Sequence, residues 1–133
     1  MIAPARNTPP YTLIWENNTF HLTFHGQIVL DDLIAANDSL TSDANLDSVK
    51  SYIFDFRHVT QLSLSERELR VYARYDSVMP MFLRYYKIRG AYLATSSHII
   101  QRLQEFLNHG HDAWERKVFC GDCCKIEWLQ AKM

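Results

Sequence analysis

Ser51-Tyr52-Ile53-Phe54-Asp55-Phe56 is the stretch that decides the fold. It is a short run dominated by apolar and aromatic residues, the pattern of a strand buried within a sheet, and Asp55 falls near its carboxyl end. Further on, Ser65-Glu66-Arg67-Glu68 has the form of a capping box, with the serine side chain accepting from the amide three residues ahead and the glutamate reaching back. A buried strand followed by a capped helix is the first half of a parallel β-α-β unit. The helix shows two apolar stripes, Leu69-Tyr72-Ala73 and Val71-Tyr75-Val78-Phe82, so more than one of its sides has something to cover. Pro80 kinks or ends it, leaving Met81 to Tyr86 as a short aromatic-rich continuation.

Upstream, Thr19-Phe20-His21-Leu22-Thr23-Phe24-His25 alternates strictly, placing Phe20, Leu22 and Phe24 on one face and Thr23 between two histidines on the other. Tyr11 to Glu16 alternates as well, and Asn17-Asn18 between the two runs tolerates the positive φ of a tight hairpin. After Gly26, Leu30 to Leu40 puts Leu30, Leu33, Ile34, Asn37 and Leu40 near one stripe, with Asp31 and Asp32 in a first turn where acidic residues suit the helix dipole. Thr41 to Ser48 reads as a loop.

Downstream, Gly90 to Ala94 reads as a central strand. Ser96 or Ser97 caps a helix bearing Ile99, Ile100, Leu103, Phe106 and Leu107, and Gly110 ends it. Trp114 to Phe119 is a final strand. Cys123 to Gln130 is a short last helix whose Trp128 and Leu129 return to the sheet. The expected order is β-β-α-β-α-β-α-β-α: an α/β domain with a mostly parallel, mixed five-stranded sheet and helices covering its faces. Residues 1–10, which hold Pro4, Pro9 and Pro10, are expected as a flexible tail, and residues 11–133 as a single domain.

The 14 Lys and Arg against 15 Asp and Glu give a formal net charge of -1 with both signs scattered, which argues against a nucleic-acid-binding specialist. No apolar run approaches the ~18 residues of a membrane span, and the proline-bearing start is not a secretory signal. Three cysteines within Cys120 to Cys124 make a poor disulfide framework, so a reducing cytoplasmic setting fits.

The order resembles the STAS and SpoIIAA-like superfamily, in its small bacterial SpoIIAA-like branch. The resemblance is carried by the strand ending near Gly26 before an acidic helix start, by Phe54-Asp55-Phe56-Arg57 at a strand end, and by Phe119 before a helix closing on Trp128-Leu129. It implies a β-α superhelix and a role in regulation or ligand sensing rather than covalent chemistry. Anti-sigma factor antagonists of this superfamily carry a phosphorylatable serine, typically in Asp-Ser-Ser-Gly, at the start of the helix after the Asp-bearing strand. That motif is absent here; Ser63 and Ser65 lie in the corresponding region.

Parallel α/β sheets place ligands where strand ends meet helix N-termini, which makes Asp55, Arg57, His58, Ser63 and Ser65 the ligand or phospho-regulatory candidates. Structural roles for the same residues are a capped turn, an Asp-Arg pair and a helix cap. Leu69, Tyr72, Tyr75, Val78 and Phe82 are candidates for a dimer interface, a protein-binding surface or a lipophilic groove with Arg57 anchoring an acidic head group. Cys120-Gly121-Asp122-Cys123 is a C-x-x-C at a strand-to-helix junction, where a helix dipole lowers a thiol pKa. Too little chain follows it for a thioredoxin-like site, and small core hydrophobes are the plainer reading. Zinc on Cys120, Cys123 and His109 or His111 lacks the usual ligand spacing. His21 and His25 lie about 13 Å apart on an extended strand, too far for one ion. No G-x-S-x-G elbow, glycine-rich phosphate loop or H-E-x-x-H occurs, so neither a catalytic residue, a metal nor a cofactor is expected. The sequence thus reads as a non-enzymatic regulatory or protein-interaction module, self-association included, with a small lipophilic or acidic ligand carrier as the alternative and thiol-disulfide exchange third.

Overall fold

A computed structural model describes residues 9–77, 88–110, 114–120 and residue 128. The chain opens with a hairpin of β1 (Tyr11–Glu16) and β2 (Thr19–Val29), paired antiparallel from Tyr11 opposite Phe24 to Glu16 opposite Thr19. Asn17 and Asn18 supply the turn at φ 52° and 63°, the left-handed pair that a two-residue hairpin needs to match strand twist. Helix α1 (Leu30–Thr41) follows without a loop, and the Asp32 carboxylate accepts the Val29 N–H at 3.0 Å. A single 3-10 turn, Leu46–Ser48, leads into β3 (Ser51–Ser63). Then come α2 (Glu66–Asp76), β4 (Arg89–Ala94), α3 (Ser97–His109) and β5 (Glu115–Cys120).

The five strands lie in sequence order, β1-β2-β3-β4-β5, and every pair after the hairpin is parallel. Each crossover therefore steps the same way along the sheet, and because such crossovers are right-handed the helices they carry fall on one face. The core confirms it. Phe20, Leu22 and Phe24 of β2, Tyr52, Phe54 and Phe56 of β3, and Tyr92 of β4 pack with the buried residues of α1, α2 and α3 in one cluster. Helices α1, α2 and α3 occupy this one face. The opposite face holds a smaller cluster of Ile53, Ala91, Leu93 and Phe119, against which Trp128 packs.

Strand β3 is also longer than its sequence suggests. It continues to Ser63, so Asp55 sits within the strand and residues 55–65 are not a strand-to-helix turn. The register against β2 slips between Thr23 and His25 and again between Gly26 and Gln27, each slip giving β3 one extra residue. Phe56, Val59 and Leu62 are consequently the inward residues, three apart rather than two. Gly26 stands at the second slip with φ 76°, a conformation an L side chain resists.

Helix α2 starts on the expected box: the Glu68 N–H donates to Ser65 Oγ at 3.1 Å, and the Glu68 carboxylate accepts the Ser65 N–H at 3.0 Å. One of its two stripes is core, with Leu69, Tyr72 and Ala73 buried. Leu69 and Tyr72 are thus unavailable as interface residues, whereas Tyr75 is half-buried and its hydroxyl donates to Asp38. Val78, Phe82, the continuation beyond Pro80, Cys123 and Leu129 lie outside the described residues, as does the expected tail apart from Pro9 and Pro10. Of the expected last helix, Trp128 is described and is helical.

Candidate functional site

Three places bring polar side chains together. On the sheet face away from the helices, Asp55 is 2% exposed and grips Arg57, with Arg57 Nε donating to Oδ1 at 2.9 Å and Nη2 to Oδ2 at 2.7 Å. The Arg57 backbone N–H, at the first register slip, also donates to Oδ1 at 3.0 Å, so the carboxylate satisfies the distorted ladder as well as the guanidinium. His21 Nε2 stands 3.4 Å from Oδ2 across the β2–β3 pair. Burial alone would raise the Asp55 pKa. The hydrogen bonds from His21 and Arg57, together with the Arg57 charge, outweigh it and hold the carboxyl well below the usual range.

The five strand-end candidates do not converge. Asp55 and Arg57 meet. His58 is instead the register partner of His25, beside which it lies exposed. Ser63, at the far end of β3, accepts from Gln27 Nε2 at 3.1 Å and is separated from Asp55 by roughly 25 Å of strand at about 3.3 Å per residue. Ser65 caps α2 and is exposed. His21 was missed because nothing local to residue 21 states which residue of a parallel neighbour lies opposite it.

The second place is buried under the helices. Tyr72 donates to Asn37 Oδ1 at 2.9 Å, Asn37 Nδ2 to Asp76 Oδ1 at 3.4 Å, and Arg116 Nη1 to Asp76 Oδ2 at 3.1 Å. Tyr92 shares a hydrogen bond with Arg116 and lies 2.9 Å from the Tyr52 hydroxyl. Burial pushes Asp76 up to about 6 even though Arg116 and Asn37 pull it down, and burial raises the three tyrosines above their ordinary value. Little of this network is legible locally: Asn37 stands out only as a member of an apolar stripe, while Asp76 and Arg116 come from elements far apart in the chain.

The third place is the outward face of α2, where Arg67, Arg70, Val71 and Arg74 are all exposed. Between α2, α3 and the sheet lies an apolar crevice bordered by Phe56, Leu62, Leu64, Leu69, Leu103 and Arg102. Its free volume is about 10 Å³, room for about one water molecule. Arg57, on the other sheet face, does not reach it. Cys120 ends β5 exposed. Among the described residues no three His, Cys, Asp or Glu side chains are grouped to hold a metal ion, and no helix is long and apolar enough to cross a membrane.

No protein-family model matches the chain, and no curated protein matches it. It is similar in structure to an uncharacterised protein of the DUF3478 family from Shewanella loihica, whose crystal structure has a SpoIIAA-like fold. The two share 15% identity at a TM-score of 0.50, over 96% of this chain and 99% of the other. With its mixed five-stranded sheet and with α1, α2 and α3 on one face of it, the chain has a SpoIIAA-like fold.

Proposed function

We propose that the protein is a non-enzymatic regulatory module of the cytoplasm that docks a protein partner through the outward face of α2. One observation carries the reading: Val71, 42% exposed, sits among three exposed arginines on the helix face opposite the buried Leu69, Tyr72 and Ala73. A lone exposed apolar residue is ordinary on a protein surface, and Ile14 is more exposed still; what supports docking at Val71 is its setting among three exposed arginines on a helix whose inner face is taken up by the core. Asp55, Arg57 and His21 brace β3 at its register slip in this reading, and Ser65 serves as a helix cap. A ligand carrier gains no support from a crevice with room for about one water molecule.

The test is affinity capture from the native host with the wild-type chain and with Val71→Asp, compared by quantitative mass spectrometry. A partner held by the wild type and lost from the variant, with unchanged circular dichroism, is the expected result. Identical captures from both proteins would sink the reading, and light scattering of the pure chain separates self-association from a foreign partner.

A further inference from the structure

Arg67, Arg70, Val71 and Arg74 fall within an arc of about 100° at 3.6 residues per turn, centred opposite the arc of Leu69, Tyr72, Ala73 and Asp76. The structure uses other arginines internally: Arg57 on Asp55, Arg89 on Glu115, Arg102 on Glu66 and Glu105, and Arg116 on Asp76. Arg67, Arg70 and Arg74 make no ion pair among the described residues. Three guanidiniums on one helix face repel one another, and no carboxylate among the described residues pairs with them.

Resting on the docking reading above, we infer that the partner presents an acidic protein segment, with carboxylates flanking one apolar side chain that seats on Val71. The planar guanidinium fork matches a carboxylate in two parallel hydrogen bonds, and each Arg stem adds apolar surface around Val71. A second copy of the chain is a poor occupant, since a two-fold contact through this face sets arginine against arginine. Nucleic acid fits less well than protein. The stripe from Arg67 to Arg74 spans only about 10 Å at 1.5 Å per residue, and the exposed Glu66 stands at its end.

Peptides selected from a random library against the full chain, then resynthesised and titrated by fluorescence anisotropy, test the inference. The selected sequences are expected to gather Asp and Glu around an apolar residue and to weaken as salt rises. Their affinity should fall about tenfold or more for Arg70→Glu/Arg74→Glu, since both ion pairs are lost and each reversed charge repels the peptide's carboxylates. Peptides that lose affinity for Val71→Asp yet carry no acidic residues would overturn the acidic partner and leave docking at α2 standing. Peptides indifferent to both variants would overturn the two together. A single-stranded oligonucleotide or a phosphatidylserine vesicle that binds more tightly than any peptide, and is released by the charge reversal, would overturn the choice of protein.

Discussion

Asp55 and Asp76 are both buried aspartates paired with an arginine, and their surroundings move them in opposite directions. Asp55 gathers donors on both oxygens and is held below the ordinary carboxylate range. Its contribution is present above the unfolded value near 3.8 and is lost as pH falls through the depressed folded value, so acid weakens it from about pH 5 downward. Asp55→Asn should cost roughly 2–3 kcal/mol in urea unfolding at pH 7, short of the ~3–5 of a fully enclosed pair because the Arg57 side chain keeps 26% of its surface exposed. Asp76 is the reverse case. Its folded value of about 6 lies above 3.8, so its contribution is full below the unfolded value and is lost as pH rises through the folded one. The loss is on the order of 3 kcal/mol at about 1.4 kcal/mol per pH unit. Between pH 5 and 6.5, where Asp55 is already ionised, Asp76→Asn should flatten the fall in stability, and a ¹³C carboxyl titration of the wild type should show one aspartate midpoint near 6. An Asp76 midpoint near 4 would contradict the assignment. At this scale the sequence showed the Asp55–Arg57 pair, because two residues of one strand separated by a single inward residue share a face. It could not show Asp76–Arg116, which depends on how a helix end meets a strand.

Elements were legible where one local rule governed them. The hairpin followed from strict alternation and Asn-Asn, and α2 from its capping box. Strand β3 was read short because two extra residues space Phe56, Val59 and Leu62 three apart, a pattern no period-two reading accepts. The Gly90–Ala94 run was read correctly as a strand, yet the reason for glycine at its start is tertiary. Gly90 pairs with Tyr52, and a Cβ there would stand 2.1 Å from the Tyr52 ring. The glycine thus lets Tyr52 lie over the neighbouring strand, stack on Phe20 at 5.1 Å and reach the Tyr92 hydroxyl. Gly90→Ala must displace that ring from its partners, and we expect a loss of 1–3 kcal/mol, the ordinary cost of overpacking, read as a lowered thermal midpoint. Gly90→Ala/Tyr52→Ala should lose less than the sum of the two single changes, because the clash is absent once the ring is gone. Strict additivity would show that the glycine serves some other purpose.

For the molecule as a whole, sequential strand order has a consequence that no element shows alone. Right-handed crossovers in one direction gather α1, α2 and α3 on one side, so the other side of the sheet must be closed differently. Ile53, Ala91, Leu93 and Phe119 are the apolar residues that need closing, and Trp128 was legible as returning to the sheet, but a strand buried on both faces reads the same whichever face each helix takes. Trp128 is part of the cover. Its ring meets Phe119 edge-on at 5.5 Å, and the Arg89 guanidinium lies 5.3 Å from the ring centroid while donating to the Trp128 carbonyl. Arg89 is held in turn by Glu115 at 3.1 Å, which ties the tryptophan to the start of both β4 and β5. Trp128→Ala should therefore cost about 2 kcal/mol, below the 3–5 of a fully enclosed aromatic because Trp128 is only half-buried. The same change should raise the fluorescence of a hydrophobic dye and speed amide exchange in β4 and β5, while α1 and its packing on β2 stay protected, since they belong to the other cluster. Uniformly faster exchange through both clusters would show instead that the two faces unfold as one unit and that Trp128 closes the whole sheet rather than its second side.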